Sequence, residues 1–236
     1  GALLAQERLE TREVRSYEVE HVHGLWHLDF HHGSRKILGK DGKWHKPLLL
    51  AVMDDHSRVV CHAQWYLNET TESLVHGFKQ ALQKRDVPRA LMSDNGSAMT
   101  SAEFTQGLAN LSIVHELTLP YSPYQNAKQE GFWAQIEGRL MAMLEGETEL
   151  TLSLLNEATL AWIEFEYHHK LHSEIASTPI KRYVEHDSVG RPCPDSSTLT
   201  RAFSAMVKRK QRRSDGTITL DGCRFEIPNA YRHLEF

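Results

Sequence analysis

The chain has 236 residues, 40% of them hydrophobic and 25% charged, and a net charge of −4. That length holds one good-sized core with room for a small appended module, and no apolar run approaches the roughly 20 residues that span a bilayer. The start Gly1-Ala2-Leu3-Leu4-Ala5-Gln6-Glu7 lacks a signal-peptide pattern, and Cys61, Cys193 and Cys223 are too scattered for a disulfide framework or a zinc ribbon, so a reducing, cytoplasmic setting is expected. Residues 4–17 carry a helix-compatible lead-in. Leu25–His31 then reads as a strand, followed by a charged loop with Gly33, Gly39 and Gly42. The apolar run Pro47–Met53, the tight turn Asp54-Asp55-His56-Ser57 and the run Arg58–Tyr66 read as an antiparallel hairpin. Thr71–Arg85 has Leu74, Val75, Phe78 and Leu82 at helical spacing, with Glu72 in its first turn and Pro88 beyond its end.

Ala90–Ser93 is a further strand, residues 101–110 a short helix, and Ser112–Glu116 a fifth strand. Two apolar stripes follow at helical spacing, Phe132, Ile136, Leu140, Leu144 and then Leu154, Leu155, Ala158, Trp162, Phe165. Strands mixed with helices in this order predict an α/β fold with a mixed sheet. From about residue 177, Pro179, Gly190, Pro192 and Pro194 mark a linker, and the basic run Lys208, Arg209, Lys210, Arg212 and Arg213 lies beyond it. Residues 214–228 alternate like a β-hairpin with Asp221-Gly222 at its turn.

Three carboxylates stand out. Asp29 interrupts the apolar strand Trp26-His27-Leu28-Asp29-Phe30, where a charge is costly unless a metal or hydrogen bonds compensate it. Asp94 ends the run Ala90-Leu91-Met92 and opens the turn Ser93-Asp94-Asn95-Gly96. Glu130 begins a helical pattern after the loop Pro120-Tyr121-Ser122-Pro123, and 35 residues separate it from Asp94. Each alone has an ordinary reading as a turn, a solvated face or a salt bridge. Hard carboxylate oxygens around an open site are what Mg²⁺ requires.

Order, spacing and the flanking loop Pro120-Tyr121-Ser122-Pro123-Tyr124-Gln125-Asn126-Ala127-Lys128-Gln129-Glu130 together resemble the retroviral-integrase-like DDE transposases over roughly residues 20–185. Tyr124 and Ala127 depart from the family's usual Gln and Gly. Ala127 tolerates fewer backbone conformations, which implies a stiffer loop. The resemblance implies a ribonuclease H-like fold with a mixed five-stranded sheet flanked by helices, followed by the start of a small C-terminal β-barrel. It divides the chain into a lead-in (1–19), a catalytic core (20–180), a linker (181–210) and a partial barrel (211–236).

The same resemblance implies a bacterial insertion-sequence transposase, nucleoid-associated when acting. Whether a helix-turn-helix domain precedes Gly1 the sequence leaves open, though the helical lead-in suggests one. Asp29, Asp94 and Glu130 would hold two Mg²⁺ or Mn²⁺ ions per active site. These ions would serve 3′-end cleavage of double-stranded DNA and then strand transfer by transesterification, carried out by a homo-multimer. Two alternatives remain: a nuclease without strand transfer, and a domesticated DNA-binding or assembly module without turnover. Lys128, Asn95, Tyr121 and Ser122 are candidates for positioning the DNA end, and Arg212 and Arg213 for tracking its backbone. Glu137 is a weaker candidate than Glu130, lying two turns into the helix. Asp54 and Asp55 read as turn residues. His27 and His31 share a strand face two pleats apart, which argues against a zinc site.

Overall fold

A computed structural model of the chain describes residues 18–118, 127–204, 211–212, 215–220 and 222–231. Five strands form one mixed sheet: β1 (Leu25–His32), β4 (Leu48–Asp54), β5 (Val60–Tyr66), β6 (Ala90–Ser93) and β7 (Val114–Leu117). Their order across the sheet is β5-β4-β1-β6-β7. β4 runs antiparallel to β1 and β5, whereas β6 runs parallel to both β1 and β7. The expected charged loop holds a small two-stranded ladder, β2 (Ile37–Leu38) with β3 (Trp44–His45), too short to show as alternation.

β5 begins at Val60 rather than at Arg58, because Arg58 takes the left-handed conformation (φ 64°) as it closes the Asp54–Ser57 turn. Helix α1 (Thr71–Arg85) has the expected bounds, and its N-cap Thr70 accepts from the Ser73 amide at 3.2 Å. Its Leu74, Val75, Phe78 and Leu82 are buried. Helix α2 (Ala102–Asn110) is capped in the same way by Ser101.

Two cores lie on opposite faces of the sheet. One gathers Trp26 and Leu28 of β1 with Phe78 and Phe104. The other gathers Leu49 and Met53 of β4 and Trp65 of β5 with Phe132, Ile136, Leu155 and Trp162. Helix α3 (Ala127–Gln135) leads through a π-helical turn (Ile136–Leu140) into the one-turn α4 (Met141–Met143). Phe132, Ile136 and Leu140 of the expected stripe are buried, but a π turn leaves no mark in apolar periodicity. In α5 (Leu152–Phe165), Leu155 and Trp162 pack inward. Leu154 and Phe165 do not: Phe165 ends the helix and is 83% exposed.

The linker expected from residue 181 is corrected over its first part. Residues 179–203 carry α6 (Pro179–Glu185) and α7 (Ser196–Ala202), and Leu199, Ala202 and Phe203 complete the first core. One compact unit runs to Phe203 and a second begins at Ser204. Among its described residues the second unit holds the expected hairpin, β8 (Thr217–Leu220) with β9 (Cys223–Glu226), and a short 3₁₀ turn, Asn229–Tyr231. No further strand of a barrel is seen among them. The lead-in up to residue 17 and the loop 119–126 lie outside the described residues. No helix among the described residues is long and apolar enough to cross a membrane.

Candidate active site

Alternation along β1 sends Trp26 and Leu28 into the first core, so His27, Asp29 and His31 face the other side, where α3 lies. The parallel register pairs Leu28 with Ser93, so the residues that follow them, Asp29 within β1 and Asp94 just past the end of β6, stand at neighbouring positions. Asp29 accepts from the Phe30 amide at 2.8 Å, and Asp94 Oδ1 accepts from the Gly96 amide at 2.9 Å. A methyl group at Gly96 would sit 3.0 Å from that same Asp94 oxygen, so a side chain there would crowd the carboxylate.

Burial and the neighbouring Asp94 carboxylate push the Asp29 pKa up to about 6. The Phe30 amide and the Trp133 indole pull the other way, and Glu69 adds a smaller upward push. Two carboxylates facing one another raise a pKa in this way when no cation lies between them. Such a donor set fits a hard divalent cation. Glu69, at the junction of β5 and α1, went unnoticed in the sequence. Its only signal is its place just after a strand of the same sheet.

Glu130 is exposed in the first turn of α3. It shares a helix face with Trp133 and Glu137, at i, i+3 and i+7. Trp133 stacks on His31, with ring centroids 5.0 Å apart and planes 13° from parallel. Glu137 Oε1 lies 2.8 Å from His31 Nε2 and accepts from the Ser34 amide at 3.2 Å, while Ser34 Oγ donates to Glu137 Oε2. This face of the helix is therefore docked against β1, and Glu137 is committed to that contact. Among the described residues no three His, Cys, Asp or Glu side chains are gathered closely enough to hold a metal ion. Asp29 and Asp94 are neighbours, and Glu130 does not join them in a three-ligand cluster.

Asp54 and Asp55 are both buried. Asp54 serves its own turn, accepting from Ser57 N at 2.8 Å and Ser57 Oγ at 2.6 Å, and also from the His23 amide at 2.7 Å. Asp55 does more than a turn residue. It bonds His27 Nε2 at 2.7 Å, accepts from the Val19 amide at 2.9 Å, and receives the Lys128 ammonium. Burial pushes its pKa up, yet His27 and Lys128 outweigh that and hold the carboxyl well below the usual carboxylate range.

Lys128 thus pairs with Asp55 inside the protein. Asn95 donates from Nδ2 to the Thr118 carbonyl at 2.9 Å, which ties the end of β6 to the end of β7. Arg212 is exposed in the second unit. Tyr121, Ser122 and Arg213 lie outside the described residues.

Residues 19–123 match the integrase core domain family. The transposase for transposon Tn552 of Staphylococcus aureus is 24% identical over 251 residues, covering 97% of this chain and 51% of its own length. The Pro-Pol polyprotein of feline foamy virus is 35% identical over 75 residues, 32% of this chain and 6% of that polyprotein. The chain therefore spans about half the Tn552 transposase and a small part of the polyprotein. Among solved structures, the HTLV-2 integrase catalytic core domain in complex with magnesium (dimeric form) superposes with a TM-score of 0.56 at 20% identity. That match covers 70% of this chain and 98% of the HTLV-2 core. Residues 19–123 thus match the integrase core domain in sequence, and the sheet of the chain has the ribonuclease H-like fold of the retroviral integrase catalytic cores.

Proposed function

We propose that this chain is the catalytic core of a DNA transposase that cleaves the 3′ ends of its element and joins them to target DNA by direct transesterification. The observation that carries the reading is the β1–β6 register, which sets Asp29 and Asp94 side by side on an integrase-type sheet. In this reading Glu130 is the third ligand, offered from the first turn of α3. Two Mg²⁺ or Mn²⁺ ions bound by these carboxylates would activate the attacking oxygen and neutralise charge at the leaving one.

The chain's own residues orient that site. The Phe30 amide fixes the Asp29 carboxylate and the Gly96 amide fixes Asp94. The docking of Trp133 and Glu137 onto His31 holds α3 over the same strand face. Double-stranded DNA is the substrate, and the working form is a homo-multimer that brings two DNA ends together. Tyr121, Ser122, Arg212 and Arg213 are DNA contacts in this reading. The Arg212 and Arg213 part of the contact weakens as salt rises.

The test uses an end-labelled duplex and a plasmid target, incubated with the protein and Mg²⁺ or Mn²⁺. Joined products support the reading, whereas nicked products alone favour the nuclease without strand transfer. Metal uptake with no cut DNA favours the non-catalytic module. Asp29→Asn, Asp94→Asn and Glu130→Gln should each lower cleavage by about a thousandfold or more, equivalent to several kcal/mol of lost charge stabilisation. Glu145→Gln, at an exposed position away from the site, is the control that keeps turnover. If Glu137→Gln abolishes it and Glu130→Gln does not, the third ligand has been misassigned.

A further inference from the structure

Asp55 lies under the site and touches the elements that carry two of its acids. Its side chain is 1% exposed and bonds two groups from distant parts of the chain. His27 stands on β1 two residues before Asp29, and therefore on the same strand face. Lys128 stands two residues before Glu130, in the first turn of α3. Both reach Asp55 Oδ1, while the Val19 amide takes Oδ2. The Asp55 amide donates to the Leu25 carbonyl at 2.9 Å, so the backbone that carries this carboxylate is itself tied to β1. Glu18 also attracts Lys128 and Arg58 repels it, which leaves Asp55 as its dominant charge partner.

We propose that Asp55 is a positioning residue: it holds Lys128 inward and so fixes the first turn of α3, from which Glu130 is presented to the metal site. The inference rests on the catalytic reading above. Residues two apart on a helix point about 200° from one another. Pinning the Lys128 side chain to Asp55 therefore sets the rotation of the first turn, and with it the direction of the exposed Glu130 carboxylate. The start of α3 needs such a tie. The next anchors along the helix are Trp133 and Glu137, one and two turns on, where it docks against His31 of β1. His27 keeps the carboxylate aimed, as groups behind a metal ligand commonly do, and loss of such groups weakens metal affinity by about 10–100-fold.

Two readouts test this on the full chain: amide hydrogen exchange over 127–135 in the metal-free protein, and Mn²⁺ binding followed by electron paramagnetic resonance. Asp55→Asn should speed exchange in the first turn of α3 and weaken Mn²⁺ binding by about tenfold. Lys128→Met approaches the same contact from its more exposed side, so it remains informative if the buried substitution impairs folding. The two changes combined should cost no more than either alone, because both break one contact. Lys128→Arg should restore most of the binding.

Folded variants with wild-type exchange and wild-type Mn²⁺ affinity would overturn the proposal. So would a Lys128→Met protein that loses only DNA affinity, since Lys128 would then be a DNA contact. Absence of Mn²⁺ uptake by the wild-type chain would count against the catalytic reading itself, and the exchange rates would still decide whether Asp55 fixes the helix.

Discussion

Asp29 and Asp94 are neighbours because Leu28 and Ser93, the residues just before them, are partners across the parallel β1–β6 pair. Parallel strands run the same way, so the residues that follow one registered pair stay side by side, and 65 positions of sequence separation collapse to adjacent places. The carboxylates repel, and the metal-free site is held together at a cost in stability.

A divalent cation should relieve that cost. Mg²⁺ or Mn²⁺ in excess should raise the melting temperature of the wild-type chain, since a ligand held about a hundredfold above its dissociation constant adds about 2.7 kcal/mol. Asp29→Asn removes the repulsion and the ligand together. The variant should melt higher than the metal-free wild type near pH 7 and gain nothing from the cation. Thermal denaturation with and without Mg²⁺ reads both effects. An equal metal response in Asp29→Asn and wild type would mean that the ion binds elsewhere.

Phe203 closes the first core from a segment that reads as linker. Its ring stacks on Phe104 with centroids 6.1 Å apart and meets Phe78 edge-on at 6.0 Å, while a methyl group at Gly107 would overlap it. Phe203→Ala should destabilise the chain by about 3–5 kcal/mol. Gly107→Ala should also destabilise it, because the added methyl would lie 2.1 Å from the Phe203 ring and force that ring out of its packed position. A chain cut at residue 180 should unfold far more readily in urea than one cut at 204. If the two unfold alike, α7 adds nothing to the core.

Legibility in the sequence followed the range of the interactions. α1 was readable to its last residue because its apolar spacing, its acidic first turn and the proline beyond it all lie within one window of chain. Asp29 and Asp94 stand out one by one, from a charge inside an apolar strand and from turn chemistry after another, but their adjacency rests on a register that local sequence does not show. The segment 196–203 hid its apolar spacing, Leu199, Ala202 and Phe203, behind Pro192 and Pro194, which read as a linker. Asp55 sits in the turn that its sequence suggests, but its further partners are hidden from local sequence. Its partners stand 28 and 73 residues away, and a turn aspartate looks the same locally whether it caps its own backbone or receives a lysine from a distant helix.

His168 makes the fold acid-sensitive. It is 1% exposed, and its Nε2 accepts the Val60 amide at 3.0 Å, where β5 begins. Its Nδ1 lies 3.2 Å from Glu164 Oε2. Only the neutral ring with its proton on Nδ1 serves both contacts. Burial accordingly lowers its pKa to about 4, although Glu164 pulls the other way. The unfolded chain binds this proton more readily than the folded one between pH 6.5 and 4, so stability is complete above 6.5 and falls as the pH drops through that window. The loss approaches about 3 kcal/mol once the pH is below 4, at about 1.4 kcal/mol per pH unit. His62, also lowered to about 4 by burial and Lys84, adds a loss of the same sign over the same window. His168→Gln should cost about 1–2 kcal/mol at pH 7, where the Val60 amide loses its fitted acceptor. It should also remove its share of the acid slope, and His62→Gln combined with it should flatten more. Urea unfolding at pH 4.5, 6 and 7.5 measures these slopes. A His168→Gln slope as steep as that of the wild type would show that the buried imidazole is not what the acid attacks.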